Sequence, residues 1–162
     1  MILRTLFLEQ KTFDEYIAAI FSLSFDDTRK DRLLALIVEL GELTNAGAAF
    51  KYWKRNKAIN KERLLDEFAD VLHFALSFGW MFELYDYDFE PKAMQEATMT
   101  EISLSLFKAA TEFVTRYDVP SYLTFFETFL GLAIRLGLTD AEITTAYHQK
   151  LAVNYQRQKE HY

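Results

Sequence analysis

Two acidic motifs, Glu39-Leu-Gly-Glu42 and Glu67-Phe-Ala-Asp70, interrupt stretches that are otherwise almost wholly apolar. No Lys or Arg occurs from Leu33 to Phe50, and none from Leu64 to Pro91. Acids three residues apart share one face of a helix. The remaining surface of each such helix is too apolar to face water all round, so both helices must pack into a core. An ionised carboxylate buried without a partner costs several kcal/mol or more, and it is therefore neutralised or given a cation. Four acids with no local base point to a divalent metal.

The rest of the chain fits a helical core. Only 5 Gly and 2 Pro punctuate the 162 residues, and no run alternates cleanly enough to predict a strand. Hydrophobic residues make up 51% of the chain and aromatic residues 16%, which excludes disorder. A domain near this length buries roughly 68–70% of its unfolded surface, and residues 1–162 read as one domain. A net charge of −6 argues against nucleic-acid binding. The absence of Cys removes disulfides, thiolate metal sites and cysteine nucleophiles together. The first eight residues are too short for a secretory signal, and the Val71–Leu84 stretch falls short of a membrane span. A cytoplasmic protein is expected.

Hydrophobic spacing predicts a first helix over Gln10–Leu23, with Phe13, Ile17 and Ile20 on one face. Asp26-Asp27-Thr28 offers caps for a second helix running to about Lys54. Asn60 caps a third, continuing to about Tyr85. A loop over Tyr85–Pro91 leads to a fourth helix, Met94–Arg116. Pro120 starts a fifth, which stops near Gly137. Thr139-Asp140-Ala141-Glu142 has the form of a capping box and opens the last helix, ending near His161. The expected fold is an all-α bundle of five or six helices with short connections.

Acidic pairs of this kind are common on solvated helix faces, and Glu83 with Asp86 is read that way. The flanks of the two main motifs leave little polar face, however, and the two helices are successive, so a short link can pack them antiparallel. Glu39 and Glu42 would then confront Glu67 and Asp70. Oxygen-only ligands suit Mg²⁺, with Mn²⁺ as a substitute, rather than zinc. Mg²⁺ held by a few carboxylates with open positions is the usual arrangement for binding a substrate's phosphates.

Phe50-Lys51-Tyr52-Trp53-Lys54-Arg55-Asn56-Lys57 follows the first acidic helix. Its cations and Trp53 suit a polyphosphate and a base, and equally a basic helix C-terminus with Trp53 in the core. Tyr147, Lys150, Asn154 and Arg157 fall on one face of the last helix. They could clamp phosphates or read a base edge, and a solvated final turn would carry the same residues. Neither a Ser/His/Asp arrangement nor a glycine-rich phosphate loop is present.

Val38-Glu39-Leu40-Gly41-Glu42-Leu43-Thr44-Asn45, Phe50-Lys51-Tyr52-Trp53-Lys54 and Glu67-Phe68-Ala69-Asp70-Val71-Leu72-His73-Phe74 together resemble the dimeric, all-α dUTPase family. That family belongs to the MazG-like group of nucleoside triphosphate pyrophosphohydrolases. Gln10-Lys11-Thr12-Phe13-Asp14 and Lys150…Asn154…Arg157-Gln158 extend the resemblance over most of the chain. It implies Mg²⁺-dependent hydrolysis of dUTP to dUMP and pyrophosphate by a homodimer. Glu39, Glu42, Glu67 and Asp70 would hold the metals, and Glu39 would orient or deprotonate the attacking water. Gln10, Trp53, His73 and Asn154 would line the uracil and deoxyribose pocket, while Lys150, Arg157 and Lys54 would engage the phosphates. The chain departs from the family at Ala46, where another acid is frequent, at Leu151, and in its Glu160-His161-Tyr162 tail. The alternatives are a MazG-like relative acting on dCTP or another nucleotide, and a non-catalytic helical metal-binding or interaction protein. An abundance of Phe, Tyr and Trp beyond what one monomer would bury also points to a dimer.

Overall fold

The computed structural model describes residues 3–56, 58–94 and 97–160. It contains six helices and no strand among those residues: α1 (Leu3–Phe21), α2 (Phe25–Gly47), α3 (Lys61–Met81), α4 (Met99–Arg116), α5 (Val119–Arg135) and α6 (Asp140–Lys159). Lys57, His161 and Tyr162 lie outside the described residues. No helix among them is long and apolar enough to cross a membrane.

Helix α3 is the hub, packing against α1, α2, α5 and α6. This is why its sequence lacks a polar face: Phe68, Val71, Leu72, Ala75, Leu76 and Phe78 are buried on all sides of it. The pairing of α2 with α3 is antiparallel. Arg32 meets Ser77, Glu39 meets Asp70 and Gly47 meets Leu64, so rising numbers run against falling ones. The two acidic motifs are thereby brought face to face. Aromatic stacking closes the other side of α3, with Phe68 on Phe129 of α5 at a 4.3 Å centroid separation. Most Phe residues fit inside one chain, but Phe21, Phe50, Tyr52 and Trp53 stay exposed.

Several helix ends differ from expectation. Helix α1 starts at Leu3 rather than Gln10, because Leu6 and Phe7 are buried and Phe7 packs on Phe89 and Phe126. The buried face is Leu6, Phe7, Gln10, Phe13 and Asp14, while Ile20 is exposed. Ser24, not the Asp26–Thr28 cluster, caps α2; Asp27 instead reaches back to the Ser24 N–H at 2.8 Å, completing a capping box. Helix α2 ends at Gly47, not Lys54, where Ala48 turns into the left-handed region with its N–H on Thr44. The Phe50–Lys54 segment is therefore turns, and the basic helix C-terminus is not formed. Helix α3 stops at Met81 rather than Tyr85. Helix α4 begins at Met99 behind a Thr98 capping box, five residues after the expected Met94. The preceding chain is tied to α5, with Lys92 N–H bonded to the Glu127 carbonyl at 2.9 Å. The Asn60 and Thr139 caps and the Gly137 turn stand where the sequence places them.

Gly79 sets how closely α1 and α5 approach α3. A Cβ built there would overlap Phe7 ring carbons and the Tyr122 hydroxyl, which itself donates to the Ala75 carbonyl at 3.0 Å. Gly79→Ala is expected to destabilise the fold by about 1–3 kcal/mol, the usual cost of overpacking. Urea unfolding measures it, and a change below about 0.5 kcal/mol, the scale of a surface substitution, would contradict this packing.

Candidate functional site

Carboxylate oxygens of Glu39 on α2 and Glu67 and Asp70 on α3 all lie within 4.8 Å of one another. The separation suits three ligands of one cation, and the donor set is all oxygen, as Mg²⁺ or Mn²⁺ prefers. Glu67 is buried and the other two are half-buried. Gathering acids there is unfavourable without positive charge. Glu39 is pushed up to about 7, chiefly by burial and then by the charges of Asp70, Glu42 and Glu67. Burial also raises Glu67 and Asp70, opposed by Arg63 and by Lys150 respectively.

The two α3 acids each take a basic neighbour. Arg63 Nε donates to Glu67 at 3.3 Å. Lys150 Nζ bridges Asp66 and Asp70 at 2.7 Å each. Glu39 has no hydrogen bond or ion pair among the described residues, which leaves it the acid most in need of a cation. Glu42, expected as a fourth ligand, is exposed one turn along α2 and stands outside the triad. Its charge still reaches the cluster, since it raises both Glu39 and Glu67.

A cavity of about 360 Å³ adjoins the acids between α1, α2, α3 and α6. Gln10, His73, Asn154 and Arg157 line it together with Asp70, so one space unites four sequence-predicted substrate residues with an acid of the candidate metal cluster. Lys150 stands beside it through Asp70. Trp53 and Lys54 are exposed on the turn after α2 and are not among the lining residues.

The cavity wall also holds a polar network that sequence reasoning missed. Asp14 is 4% exposed and pairs with Arg32 at 2.8 Å, while Ser77 and Trp80 donate to its other oxygen at 2.6 and 2.7 Å. His73 is 5% exposed, stacks on Tyr147 at a 4.4 Å centroid separation, and lies 2.6 Å from Gln10 Oε1 through Nδ1. Burial brings its imidazole down to about 3, so the ring is neutral at physiological pH. The signals available in the sequence were the one-turn spacing of Gln10 and Asp14, and Ser77 standing inside an apolar run.

Through Asp70 the carboxylate cluster adjoins a mixed polar and apolar cavity, an arrangement suited to hold a phosphate chain at one end and a planar ring at the other. The family model described as dUTPase matches residues 2–162. No curated protein gives a match to the chain.

Proposed function

The chain belongs to the dUTPase family and is a dUTP diphosphatase; from that premise we propose that hydrolysis depends on Mg²⁺ and runs at the Glu39–Glu67–Asp70 cluster. The observation that carries this reading is the convergence of three carboxylates within 4.8 Å beside a cavity large enough for a pyrimidine deoxynucleoside. When bound, a divalent ion supplies charge neutralisation for the phosphates and a more acidic water.

The chain's own residues would then divide the work. Glu39, Glu67 and Asp70 would hold the cation, and Glu42 would add negative charge at the rim. Glu39 Oε, near neutrality in its pKa when no cation is present, takes the proton of the attacking water. Water oxygen bonds to phosphorus as the bond through the oxygen bridging the α and β phosphates breaks, so that cleavage between them gives dUMP and pyrophosphate. Lys150 and Arg157 line up on α6 to engage the phosphates, with Lys150 exchanging an acid partner for a phosphate oxygen. His73 and Asn154 supply polar contacts to the uracil, and Phe74 and Phe13 supply apolar wall.

We assign the homodimer contact to the outer face of α2 and α4. Leu34, Val38 and Leu104 are exposed there, around an apolar groove lined by Gly41, Phe50 and Phe107. Trp53 and Lys54 follow Phe50 and would border that contact rather than enter the cavity of their own chain.

Calorimetric titration with Mn²⁺ tests the metal assignment. Glu67→Gln is expected to weaken binding by at least about 100-fold, whereas Glu42→Gln, outside the triad, should cost about tenfold or less. Equal losses for the two variants would place the cation elsewhere along α2 and α3.

A further inference from the structure

The polar network behind the cavity fixes more than the fold. Every acceptor position of the Asp14 carboxylate is filled: Oδ1 accepts from Gln10 Nε2 at 3.1 Å and Arg32 Nη1 at 2.8 Å, and Oδ2 from Ser77 Oγ at 2.6 Å and Trp80 Nε1 at 2.7 Å. A carboxylate only accepts, so it demands the nitrogen of the Gln10 amide on its side, not the oxygen. Ser77 Oγ, its proton given to Asp14, accepts from Gln10 Nε2 at 3.2 Å and from Arg32 Nη1 at 3.3 Å. Both protons of the Gln10 nitrogen are placed, and the amide cannot invert.

Its oxygen must then face the other way. Gln10 Oε1 accepts from the Tyr147 hydroxyl at 3.2 Å and lies 2.6 Å from His73 Nδ1. An acceptor at that position requires the neutral ring to carry its proton on Nδ1. Nε2 is left as a bare acceptor, and it is the buried side-chain polar atom without a partner among the described residues. Gln10 itself, with all four hydrogen-bonding positions used, has nothing left to offer a ligand.

We infer that Asp14 and Arg32 are positioning residues for base choice: they lock the Gln10 amide, and through it the His73 tautomer, so that Nε2 is presented to the base as a hydrogen-bond acceptor. This rests on the reading of the cavity as the base pocket. Uracil offers a donor at N3–H and satisfies Nε2, whereas cytosine presents a lone pair at N3 and leaves two acceptors opposed. The arrangement selects against cytosine and not against thymine, whose N3 is also a donor. Arg32 contributes by donating to Asp14 Oδ1 and to Ser77 Oγ, which holds both acceptors in place beside the Gln10 nitrogen.

Nitrogen NMR of histidine-labelled, nucleotide-free protein reads the tautomer directly, with His73 assigned by its loss in His73→Gln. The native ring is expected in the Nδ1–H form. Asp14→Asn, which replaces one acceptor oxygen by a donor and so breaks the all-acceptor set shared by Gln10, Arg32, Ser77 and Trp80, is expected to move it toward Nε2–H. The same variant should raise the ratio of kcat/KM for dCTP over dUTP by about tenfold or more. Ser77→Ala removes one acceptor of the Gln10 nitrogen; it should shift both readouts in the same direction by less, and it serves if Asp14→Asn does not fold. A native Nε2–H ring, or a tautomer unmoved in the folded variants, overturns the positioning role without touching the pocket assignment. A tautomer that moves while the dCTP-to-dUTP ratio holds overturns the role in base choice. Failure of the pocket assignment has a separate signature: the native ring is Nδ1–H, yet the native enzyme turns over dCTP as well as dUTP.

Discussion

Glu39→Gln is expected to lower kcat for dUTP hydrolysis by about 10²–10⁴-fold, the range set by losing a positioned proton acceptor. The substitution keeps the side chain's shape and removes its charge, so the loss should come with a folded protein. Steady-state pyrophosphate release measures it, and a fall of less than about threefold would remove Glu39 from the chemistry. The same variant should be more stable than the native chain at pH 8 in chelator. In the metal-free fold Glu39 titrates at about 7, against an ordinary value of 4.5. Between those values the folded chain keeps a proton that the unfolded chain has released, so the Glu39 contribution to stability is fully present below about 4.5 and is lost as pH rises to about 7. Glu39→Gln removes the Glu39 share of that decline, and added Mg²⁺ should offset it in the native protein. Thermal unfolding across pH 5–8, with and without Mg²⁺, separates the two effects; a native profile that rises with pH through this window would contradict the sign.

Asp14→Ala is expected to cost about 3–5 kcal/mol, the penalty for breaking a buried ion pair from one side. Arg32 has only 13% of its side chain exposed, so its guanidinium would be left without a counter-charge in a poorly solvated site. Gln10, Ser77 and Trp80 would each lose an acceptor as well. Against a typical total stability of about 5–15 kcal/mol this approaches unfolding. Chemical denaturation is the measurement, and a loss below about 1 kcal/mol would mean that water replaces the carboxylate and that the network is open to solvent. Comparison with Glu112→Ala, whose salt bridge to Arg116 is half exposed, should show less than about 1 kcal/mol.

The acidic motifs were legible because their chemistry conflicts with their surroundings. Glu39, Glu67 and Asp70 are charges inside apolar helices, and only a few arrangements reconcile the two. Caps were legible where the capping residue also begins the pattern, as at Asn60 and Thr139. They were misplaced where an acid inside the first turn mimicked one, as Asp27 did for Ser24. The start of α1 was hidden because Arg4 and Thr5 are too few polar residues over Leu3–Leu8 to mark a period; the burial of Phe7 depends on Phe89 and Phe126, far along the chain. The departure of Glu42 from the triad follows from the antiparallel pairing, which sequence suggests, and its register, which sequence leaves open. Asp14, Arg32 and Ser77 were opaque for the same reason. Each belongs to a different helix, and only tertiary packing makes three ordinary polar residues into one network.

Glu39, Glu67 and Asp70 would hold the divalent cation on which selective dUTP hydrolysis beside the α1–α2–α3–α6 cavity is proposed to depend. Pyrophosphate release from dUTP, dCTP, dTTP and UTP, each with Mg²⁺ and after chelation, tests it most directly. Turnover of dUTP is expected well above that of the other three, with none once the metal is removed. Hydrolysis of dUTP that survives complete chelation would contradict the metal assignment, and equal turnover of dCTP would contradict the uracil pocket.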